Sequence, residues 1–410
     1  MGSPGAGPKA GLDDIDPAGK RVLLRVDFNA PLNPDGSLRD ESRLVAALPT
    51  IRELLSRAAA VIIATHVGRP EGKADPALST RPLAAHVERL LGVPVAWVDD
   101  CVGEAVEQRA KALRPGQVLL LENLRFHKGE EANDPVFARQ LASLADIYVD
   151  DAFGAAHRAH ASIEGVARLL PAVAGRLMAS EIANLSAILE NPKRPLLAVI
   201  GGSKLSSKLE LLTHLVDRVD SLCLGGAMAA TFLKAADREV GTSLVEDEFL
   251  DRASAIVRQA SERHVDLQLP VDAVVAASPN AEAADVQVKS VEDIGADEMI
   301  LDVGPATIHH WEELVKRAGT VVWNGPLGVY EKPLFAVGTQ QLAAAVAASS
   351  ALSVTGGGDL QAAIRSLKLE QGFTHVSTGG GATLEFLEGR LLPGVAVLRD
   401  APRIAKSAAK

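Results

Sequence analysis

The chain has 410 residues, of which 47% are hydrophobic and 23% charged, and a formal net charge of −10. This composition is typical of a globular protein, and the length exceeds one ordinary core, so we expect two domains. The acidic balance argues against general nucleic-acid binding, which needs a basic surface, but it is compatible with a local basic pocket.

Three further features narrow the class of protein. No apolar stretch reaches about 18 residues and no apolar run follows a basic start, so we expect neither a membrane span nor a secretion signal. Cys101 and Cys223 are the only cysteines. So few thiols fit a reducing, cytoplasmic compartment, and we expect both to be buried as apolar side chains. No H-E-x-x-H, paired-cysteine or EF-hand spacing occurs, so no dedicated metal cage is expected.

Short apolar runs alternate with longer amphipathic stretches, which is the pattern of βαβ units in a parallel sheet. In the first half, strands are predicted in RVLLRVDFN, AAVIIATHVGRP, VPVAWVDD, QVLLLENLRFH and IYVDDAFGAAHR. In the second half, they are predicted in PLLAVIGGSK, SLCLGGAM, LPVDAVVA, TVVWNGP, LSVTGGGD and HVSTGGGA.

A single helix is predicted between the two halves, within PAVAGRLMASEIANLSAILENPKRP. Its apolar residues recur at helical spacing, and proline brackets the segment; they are Met178, Ile182, Leu185 and Leu189. The predicted fold is therefore α/β, with two doubly wound, Rossmann-like parallel-sheet domains joined by a bridging helix. The predicted limits are 1–175, 176–192 and 193–390.

The residues that follow the predicted strands differ between the two halves, and ligands of open α/β sheets bind at these carboxyl ends. In the first half they are mainly basic or polar: Asp27, Asn29, His66, Arg69, Arg125, His157 and Arg158. In the second half they are glycines: Gly201, Gly202, Gly225, Gly226, Gly325, Gly356 to Gly358 and Gly379 to Gly381. The first edge is predicted to bind a small polyanion through arginine, and the second to bind nucleotide phosphates through backbone amides.

Lys204 and Lys208 follow one of the glycine pairs and would share a face if they lay on a helix. This pattern favours a phosphate contact, although the common phosphate loop G-x-x-x-x-G-K-[ST] does not occur. Simpler interpretations stay open: the lysines as a solvated helix face, Asp27 and Asn29 as turn or capping residues, and Asp359 as a helix N-cap.

Nine motifs then occur in a characteristic order: RVDFNAPL, ESRLVAALPTI, THVGRPEGK, LLLENLRFHKGEE, DDAFGAAHRAHAS, VIGGSKLSSKLELL, WNGPLGVYE, GGGD and STGGGATLEFLEG. In this order and spacing the chain resembles the phosphoglycerate kinase family, over roughly residues 12 to 395. The resemblance implies reversible phosphoryl transfer from 1,3-bisphosphoglycerate to ADP, giving 3-phosphoglycerate and ATP. It also implies Mg²⁺ bound with the nucleotide and an active site in an interdomain cleft.

In the first half, the resemblance implies contacts to the glycerate substrate. Asp27 and Asn29 resemble the residues that hold its hydroxyl and carboxyl end. Arg43, in ESRLVAALPTI, resembles the arginine at the transferring phosphoryl group. The residues implied to bind the 3-phosphate are His66, Arg69, Arg125 and Arg158.

In the second half, the resemblance implies contacts to the nucleotide. Lys204 resembles the lysine near the phosphoryl in flight, and Lys208 the lysine on the nucleotide phosphates. Asn324 and Glu331 resemble nucleotide contacts, Glu331 with the ribose, and Asp359 resembles the aspartate of the Mg²⁺-nucleotide. Glycines complete the implied site: Gly356, Gly357 and Gly358 beside the nucleotide, and Gly380, a catalytic candidate, where Gly379 to Gly381 open a helix.

The resemblance carries further expectations about assembly. The partners are ADP or ATP and the two glycerate phosphates, with no nucleic acid and no membrane, and the chain is expected to be a monomer. The domains are expected to close about the bridging helix, and the tail 391–410 is expected to pack back on the first domain.

Two departures from the family pattern bear on the nucleotide. Ala227 replaces a usual third glycine and is expected to tighten the nucleotide pocket. Leu360 replaces the usual serine or threonine after GGGD, and we expect it to lie at the phosphate site and lower nucleotide affinity. A catalytically inactive nucleotide-binding scaffold and a transferase for another acyl phosphate stay open as alternatives, although a mere binder does not need Arg43.

Overall fold

The computed structural model describes residues 9–29, 33, 37, 38 and 40–401. The chain divides into two compact units: unit 1, with Met1–Ala183 and Leu391–Lys410, and unit 2, with Asn184–Arg390. The boundary lies inside the helix Arg176–Glu190, which occupies most of the predicted bridging segment. The predicted domain limits themselves stay predictions.

Unit 1 contains a six-stranded parallel sheet in the order β3-β4-β2-β1-β5-β6. Its strands are β1 (Arg21–Arg25), β2 (Ala60–Ala64), β3 (Val95–Trp97), β4 (Val118–Leu120), β5 (Ile147–Asp150) and β6 (Ala172–Ala174). Its connecting helices are α1 (Ser42–Ser56), α2 (Arg81–Leu91), α3 (Glu104–Ala112), α4 (Lys128–Glu131) and α5 (Pro135–Ala142), followed by α6 (Arg176–Glu190).

The core of unit 1 follows from two apolar patterns. All five residues of β2, AVIIA, are buried, as expected for a central strand covered on both faces. Leu44, Leu48 and Ile51 of α1 recur at helical spacing and are buried as well. Strand β6 was not predicted, because only a helix was expected within the run PAVAGRLMASEIANLSAILENPKRP that contains its three residues; it pairs with β5.

Unit 2 contains a second six-stranded parallel sheet, in the order β15-β14-β13-β7-β8-β9. Its strands are β7 (Leu196–Ile200), β8 (Ser221–Leu224), β9 (Asp266–Gln268), β13 (Thr320–Asn324), β14 (Leu352–Gly356) and β15 (His375–Val376). Its helices are α7 (Leu209–Val216), α8 (Met228–Ala235), α9 (Leu250–Glu262), α10 (Pro305–Arg317), α11 (Val337–Ala348), α12 (Gly358–Ser366) and α13 (Gly381–Leu387). The two parallel sheets confirm the predicted α/β fold class.

One predicted member of the second parallel sheet is placed elsewhere. The run LPVDAVVA forms β10 (Asp272–Ala276), which pairs antiparallel with β11 (Gln287–Ser290) and β12 (Met299–Val303) in a separate sheet. The edge position beside β8 belongs to β9 instead. Pro270, between β9 and β10, cannot donate to a ladder, so the continuous run is split into two strands with different partners.

The described part of the C-terminal tail contacts residues of unit 1. It contains α14 (Pro393–Ala396), in which the Gly394 amide donates to the Ala156 carbonyl at 2.8 Å. Lys9 Nζ lies 2.8 Å from Asp400 Oδ1. The rest of the tail, 402–410, lies outside the described residues. Within 9–401, as far as described, no helix combines the length and apolarity needed to cross a membrane.

Candidate active site

The predicted glycerate-binding residues of unit 1 follow four adjacent strands, β4, β2, β1 and β5. Parallel strands place their carboxyl ends at one edge of the sheet, so these residues share that edge. They are Asp27 and Asn29 after β1, His66 and Arg69 after β2, Arg125 after β4 and Arg158 after β5.

Arg43, near the start of α1, is held by the β1 loop. Its Nη1 lies 2.5 Å from Asp27 Oδ2. Asp27 Oδ1 accepts from the Asn29 amide at 3.3 Å, and Asn29 Oδ1 accepts from the Gly68 amide at 2.9 Å. The Asp27 and Asn29 side chains therefore stabilise these loops, and Asp27 also pairs with Arg43. The interpretation of both as turn residues stays open beside the interpretation as ligand contacts.

Arg125 is buried in a short 3-10 turn, Leu124–Phe126, beyond β4. Its Nη1 donates to the Gly68 carbonyl at 2.9 Å, and its amide donates to Asn123 Oδ1 at 3.1 Å. Nε lies 3.3 Å from Glu131 Oε1 but outside hydrogen-bond geometry, and it has no other acceptor among the described residues. Burial lowers the Arg125 pKa. This buried donor therefore remains available to an anion.

His66 is 5% exposed and faces a second arginine that sequence reasoning missed, Arg25 at the end of β1. Arg25 Nη2 lies 3.1 Å from His66 Nδ1. Because arginine only donates, Nδ1 accepts, and the ring proton of the neutral imidazole is on Nε2. Burial, followed by the charges of Arg25, Arg125 and Arg43, holds the His66 pKa well below its usual range. His66 therefore acts as a neutral donor and not as a cation.

Arg25 is 1% exposed and is anchored by hydrogen bonds besides its contact with His66. Its Nε donates to Ser162 Oγ at 2.9 Å, and Ser162 Oγ donates to Glu130 Oε1 at 2.6 Å. Glu130 is fully buried, and burial raises its pKa. No local pattern marks Arg25 as functional, because it reads as the last residue of a strand.

Two histidines near Arg158, His157 and His160, have lowered pKa values, partly because this edge is positively charged. Burial and the charges of Arg125, Arg25 and Arg158 lower the His160 pKa to about 3. Burial and Arg158 lower the His157 pKa as well. Among the described residues, Nδ1 of each ring has no hydrogen-bond partner. Arg158 itself is exposed, as is Arg69.

In unit 2, glycines follow five adjacent strands: β15, β14, β13, β7 and β8. Some of them serve the protein's own packing. A Cβ on Gly201 would lie 2.1 Å from the Pro326 carbonyl oxygen, and one on Gly226, at φ +69°, would lie 2.5 Å from the Gly202 nitrogen. Neighbouring loops thus touch backbone to backbone. Gly358 and Gly380 have open space around the Cβ position, as the predicted ligand contact requires.

The prediction that Lys204 and Lys208 could share a helical face is wrong, because α7 begins at Leu209. Both lysines lie in the loop before it, which turns where the Lys208 amide donates to the Leu205 carbonyl at 2.8 Å. Leu205 is buried and anchors this loop. Lys204 is exposed, whereas Lys208 is half-buried.

Lys208 and Asn324 form the polar centre of this edge. Lys208 Nζ donates to Asn324 Oδ1 across the loops after β7 and β13. The other amide atom, Asn324 Nδ2, is buried and has no acceptor among the described residues. Burial lowers the Lys208 pKa to about 8, against the opposing charges of Glu388 and Asp359. A cation and a donor are therefore both available to a phosphate.

A cavity of about 260 Å³ lies beside these loops, entirely within unit 2. Glu331, Tyr330 and Asp359 line its polar side, and Ala227 lies in its wall. Its apolar wall is suited to a planar base; the lining includes Ala229, Leu233, Leu244, Pro270, Ala273 and Ile300.

Asp359 and Leu360 begin α12 but face different surroundings. The N-cap of α12 is Gly357, so the interpretation of Asp359 as N-cap is wrong; its exposed carboxylate lines the cavity. Leu360 is 0% exposed and belongs to the hydrophobic core of unit 2. The expectation that Leu360 lies at the phosphate site is therefore wrong, because its side chain points into the core behind the helix.

The remaining glycines flank two helix starts. Gly356 ends β14 and lies close to Asn324: a Cβ there would be 3.3 Å from Asn324 Nδ2. Gly380 is the N-cap of α13, which begins at Gly381. Both helix starts leave amides without intrahelical partners, and the start of α12 lies at the cavity, which Asp359 lines.

Known proteins resemble this chain in sequence and in fold. The family model for phosphoglycerate kinase matches residues 12–390. A phosphoglycerate kinase of Dictyoglomus turgidum is 50% identical over 390 residues, covering 95% of this chain and 98% of the relative. One of Moorella thermoacetica is 51% identical over 392 residues, covering 96% and 99%. The solved structure of phosphoglycerate kinase from Coxiella burnetii superposes with a TM-score of 0.87 at 44% identity, covering 95% of this chain and 98% of that one. The chain belongs to the phosphoglycerate kinase family, and its activity is that family's reversible phosphoryl transfer from 1,3-bisphosphoglycerate to ADP in glycolysis.

Proposed function

We propose that the edge of the unit 1 sheet binds the glycerate substrate and that the edge of the unit 2 sheet binds the nucleotide with Mg²⁺. The observation that carries this division is a set of buried polar atoms without hydrogen-bond partners among the described residues. At these two edges the set includes Arg125 Nε, His157 Nδ1 and His160 Nδ1 in unit 1, and Asn324 Nδ2 in unit 2. An unpaired buried polar group is costly, so such atoms favour sites completed by a ligand.

In unit 1, we assign the 3-phosphate to the basic edge. Arg125 offers a buried charge, His66 a neutral N–H donor, and Arg69 and Arg158 exposed charges. Asp27 and Asn29 bind the hydroxyl and carboxyl end of the substrate. Arg43 contacts the transferring phosphoryl, and its ion pair with Asp27 supports the orientation that this role needs.

In unit 2, we assign the nucleotide phosphates to Lys208, Asn324 and the amides at the start of α12. Gly356, Gly357 and Gly358 let the chain pass close to these phosphates. Glu331, at the cavity rim, binds the ribose, and the base enters the apolar cavity. Lys204 and the Gly380 region stabilise the phosphoryl in flight.

The chemistry needs charge stabilisation and positioning more than proton transfer. An ADP oxygen attacks phosphorus, the bond from phosphorus to the acyl oxygen breaks, and a carboxylate leaves. The attacking ADP oxygen is already ionised and the leaving carboxylate is stable as an anion, so no general base is required. This fits an arrangement rich in cations and amides. Arg43 and Lys204 would offset the charge that spreads over the equatorial oxygens.

The exposed Asp359 carboxylate fits Mg²⁺, since it lines the cavity and supplies the oxygen ligand that this ion prefers. Mg²⁺, when bound with the nucleotide, would neutralise phosphate charge. Asp359 would hold that complex beside Lys208, whose pKa it already influences. We further propose a cytoplasmic monomer that binds neither membrane nor nucleic acid; closure of the domains about α6 stays a prediction.

The decisive experiment pairs an activity assay with calorimetry on the full chain. Turnover of 1,3-bisphosphoglycerate with Mg·ADP is expected. Arg125→Ala should weaken 3-phosphoglycerate binding and leave ADP binding intact, and Asn324→Ala should do the reverse. Binding without turnover would indicate an inactive scaffold, and turnover with only a different acyl phosphate would indicate another transferase. Loss of both ligands in each folded variant would contradict the division of sites.

A further inference from the structure

Three metal-ligating side chains meet in unit 1 outside the active-site assignments: Asp100, Cys101 and His127. One ligand atom from each lies within 4.8 Å of the others. His127 Nε2 is 2.7 Å from Asp100 Oδ1. Asp100 and Cys101 follow β3, and His127 follows the turn beyond β4, so strand order brings the two loops together. The sequence could not indicate this site, because His127 lies far along the chain from the adjacent Asp100 and Cys101.

The separations fit a small tetrahedral ion. With zinc–ligand bonds of about 2.0–2.3 Å, neighbouring ligand atoms lie about 3.3–3.7 Å apart. Asp100 Oδ1 and His127 Nε2 would need to separate by roughly 0.6–1 Å from their present contact, and the Cys101 thiol already lies within 4.8 Å of both. Both side chains that must separate are partly exposed, but Asp100 Oδ1 also accepts from the Cys101 amide at 2.6 Å, so His127 would make most of the adjustment.

The surroundings hold the ligands in place and favour a cation. The His127 ring stacks on Phe137, with centroids 5.1 Å apart, which fixes its orientation. The Cys101 thiol is free and buried. The Asp100 carboxylate lies within 4.8 Å of this thiol, which favours a divalent cation between them.

We propose that Asp100, Cys101 and His127 form a zinc-type site that ties the loop after β3 to the loop after β4. Thiolate, imidazole and carboxylate together select a soft or borderline metal such as Zn²⁺ over Mg²⁺, which prefers oxygen alone. Water supplies the fourth ligand on the exposed side. The second loop also contains Arg125, so the ion would stabilise the turn that carries a proposed substrate contact.

Cobalt(II) provides a direct test on the full-length protein after treatment with a chelator. We expect one cobalt per chain, intense d–d bands of four-coordinate cobalt, and a thiolate-to-cobalt charge-transfer band. Excess Mg²⁺ should not displace the ion, whereas Zn²⁺ should. Zinc at about 100 times its Kd should raise the melting temperature of unit 1 by about 5–10 °C.

Three variants distinguish this site from background binding. Cys101→Ser should abolish the charge-transfer band, and His127→Gln should abolish stoichiometric binding. Cys223→Ser, at the other buried cysteine, is the matched control and should bind like the unmodified chain. A charge-transfer band that persists in folded Cys101→Ser, or only weak six-coordinate cobalt in the unmodified chain, would overturn the proposal.

Discussion

The two parallel sheets present anion-binding edges that are built by different means. In unit 1, the edge is made of side chains: buried Arg25 and Arg125, with more exposed arginines around them. In unit 2, it is made mostly of loop backbone, with Lys208 as its half-buried cation. Two six-stranded parallel sheets with different strand orders therefore support permanent guanidinium charge in one unit and amide dipoles with an adjustable charge in the other.

The difference has a consequence for protonation. Clustered arginines stay charged at all ordinary pH, and their field, together with burial, keeps His66 and His160 neutral. Lys208 instead has a pKa of about 8, because burial is only partly offset by nearby carboxylates. The glycerate edge should therefore be less sensitive to alkaline pH than the nucleotide edge.

The largest expected effect tests the proposed role of Arg43 at the moving phosphoryl. Arg43→Ala should fold normally and lose about 10³- to 10⁵-fold in kcat, the range for an arginine that stabilises this transition state. Arg52→Ala, an exposed arginine of the same helix, is the matched control and should retain turnover. More than a tenth of the normal kcat in Arg43→Ala would contradict the role.

The second prediction replaces the expectation from sequence that Leu360 lies at the phosphate site and lowers nucleotide affinity. Leu360 is buried in the core of unit 2, so truncation creates a cavity behind α12. Leu360→Ala should cost about 2–5 kcal/mol of unfolding free energy, and a serine there would add a buried hydroxyl. Leu334→Ala, at a partly exposed leucine, is the control and should change stability little. Denaturant unfolding followed in unit 2 measures both.

The third prediction concerns alkaline pH. Lys208 is protonated below about pH 8 in the free enzyme, and bound phosphates should raise its pKa. ADP affinity should therefore be constant below about pH 8 and fall above it, by at most about tenfold per pH unit. Lys208→Arg should remove this fall, whatever its absolute affinity, because guanidinium stays charged. An identical alkaline fall in Lys208→Arg would assign the titration to another group.

The location of the site could be predicted from sequence because side chains that follow parallel strands must share an edge. That rule placed Asp27, His66, Arg125 and Arg158 at one edge without any knowledge of contacts, and the family resemblance supplied the roles proposed for them. The glycines after the strands of unit 2 also pointed to this edge, but they are there for two different reasons. At Gly201 it permits loop packing, whereas at Gly358 it leaves open space.

The features that sequence reasoning missed depend on pairing over long separations. Arg25 reads as a strand residue until the fold brings it against His66, and the Asp100–His127 contact likewise needs two neighbouring loops. The antiparallel placement of β10 is also not encoded within its five residues, since an apolar strand can pair in either direction. The prediction for Leu360 was wrong because it assumed that a polar residue of the family at this position contacts the ligand. In the structure, this face of α12 packs into the hydrophobic core.

The smallest expected effect separates exposed from buried cations at the glycerate edge. Arg69 is exposed, and a solvated ionic contact contributes about 0.2–1 kcal/mol, so Arg69→Ala should raise the KM for 3-phosphoglycerate by only about 1.5- to 5-fold. The contact would exist in the ground state and the transition state alike, so kcat should stay unchanged.

Arg125→Ala provides the comparison, because its loss removes a buried charge and should raise the KM for 3-phosphoglycerate much further. Steady-state kinetics of both variants at constant ionic strength measure the two effects, and doubling the salt should reduce the Arg69 effect before the Arg125 effect. Equal increases in KM, or a fall in kcat for Arg69→Ala, would mean that exposure does not rank these contacts and that Arg69 becomes buried when substrate binds.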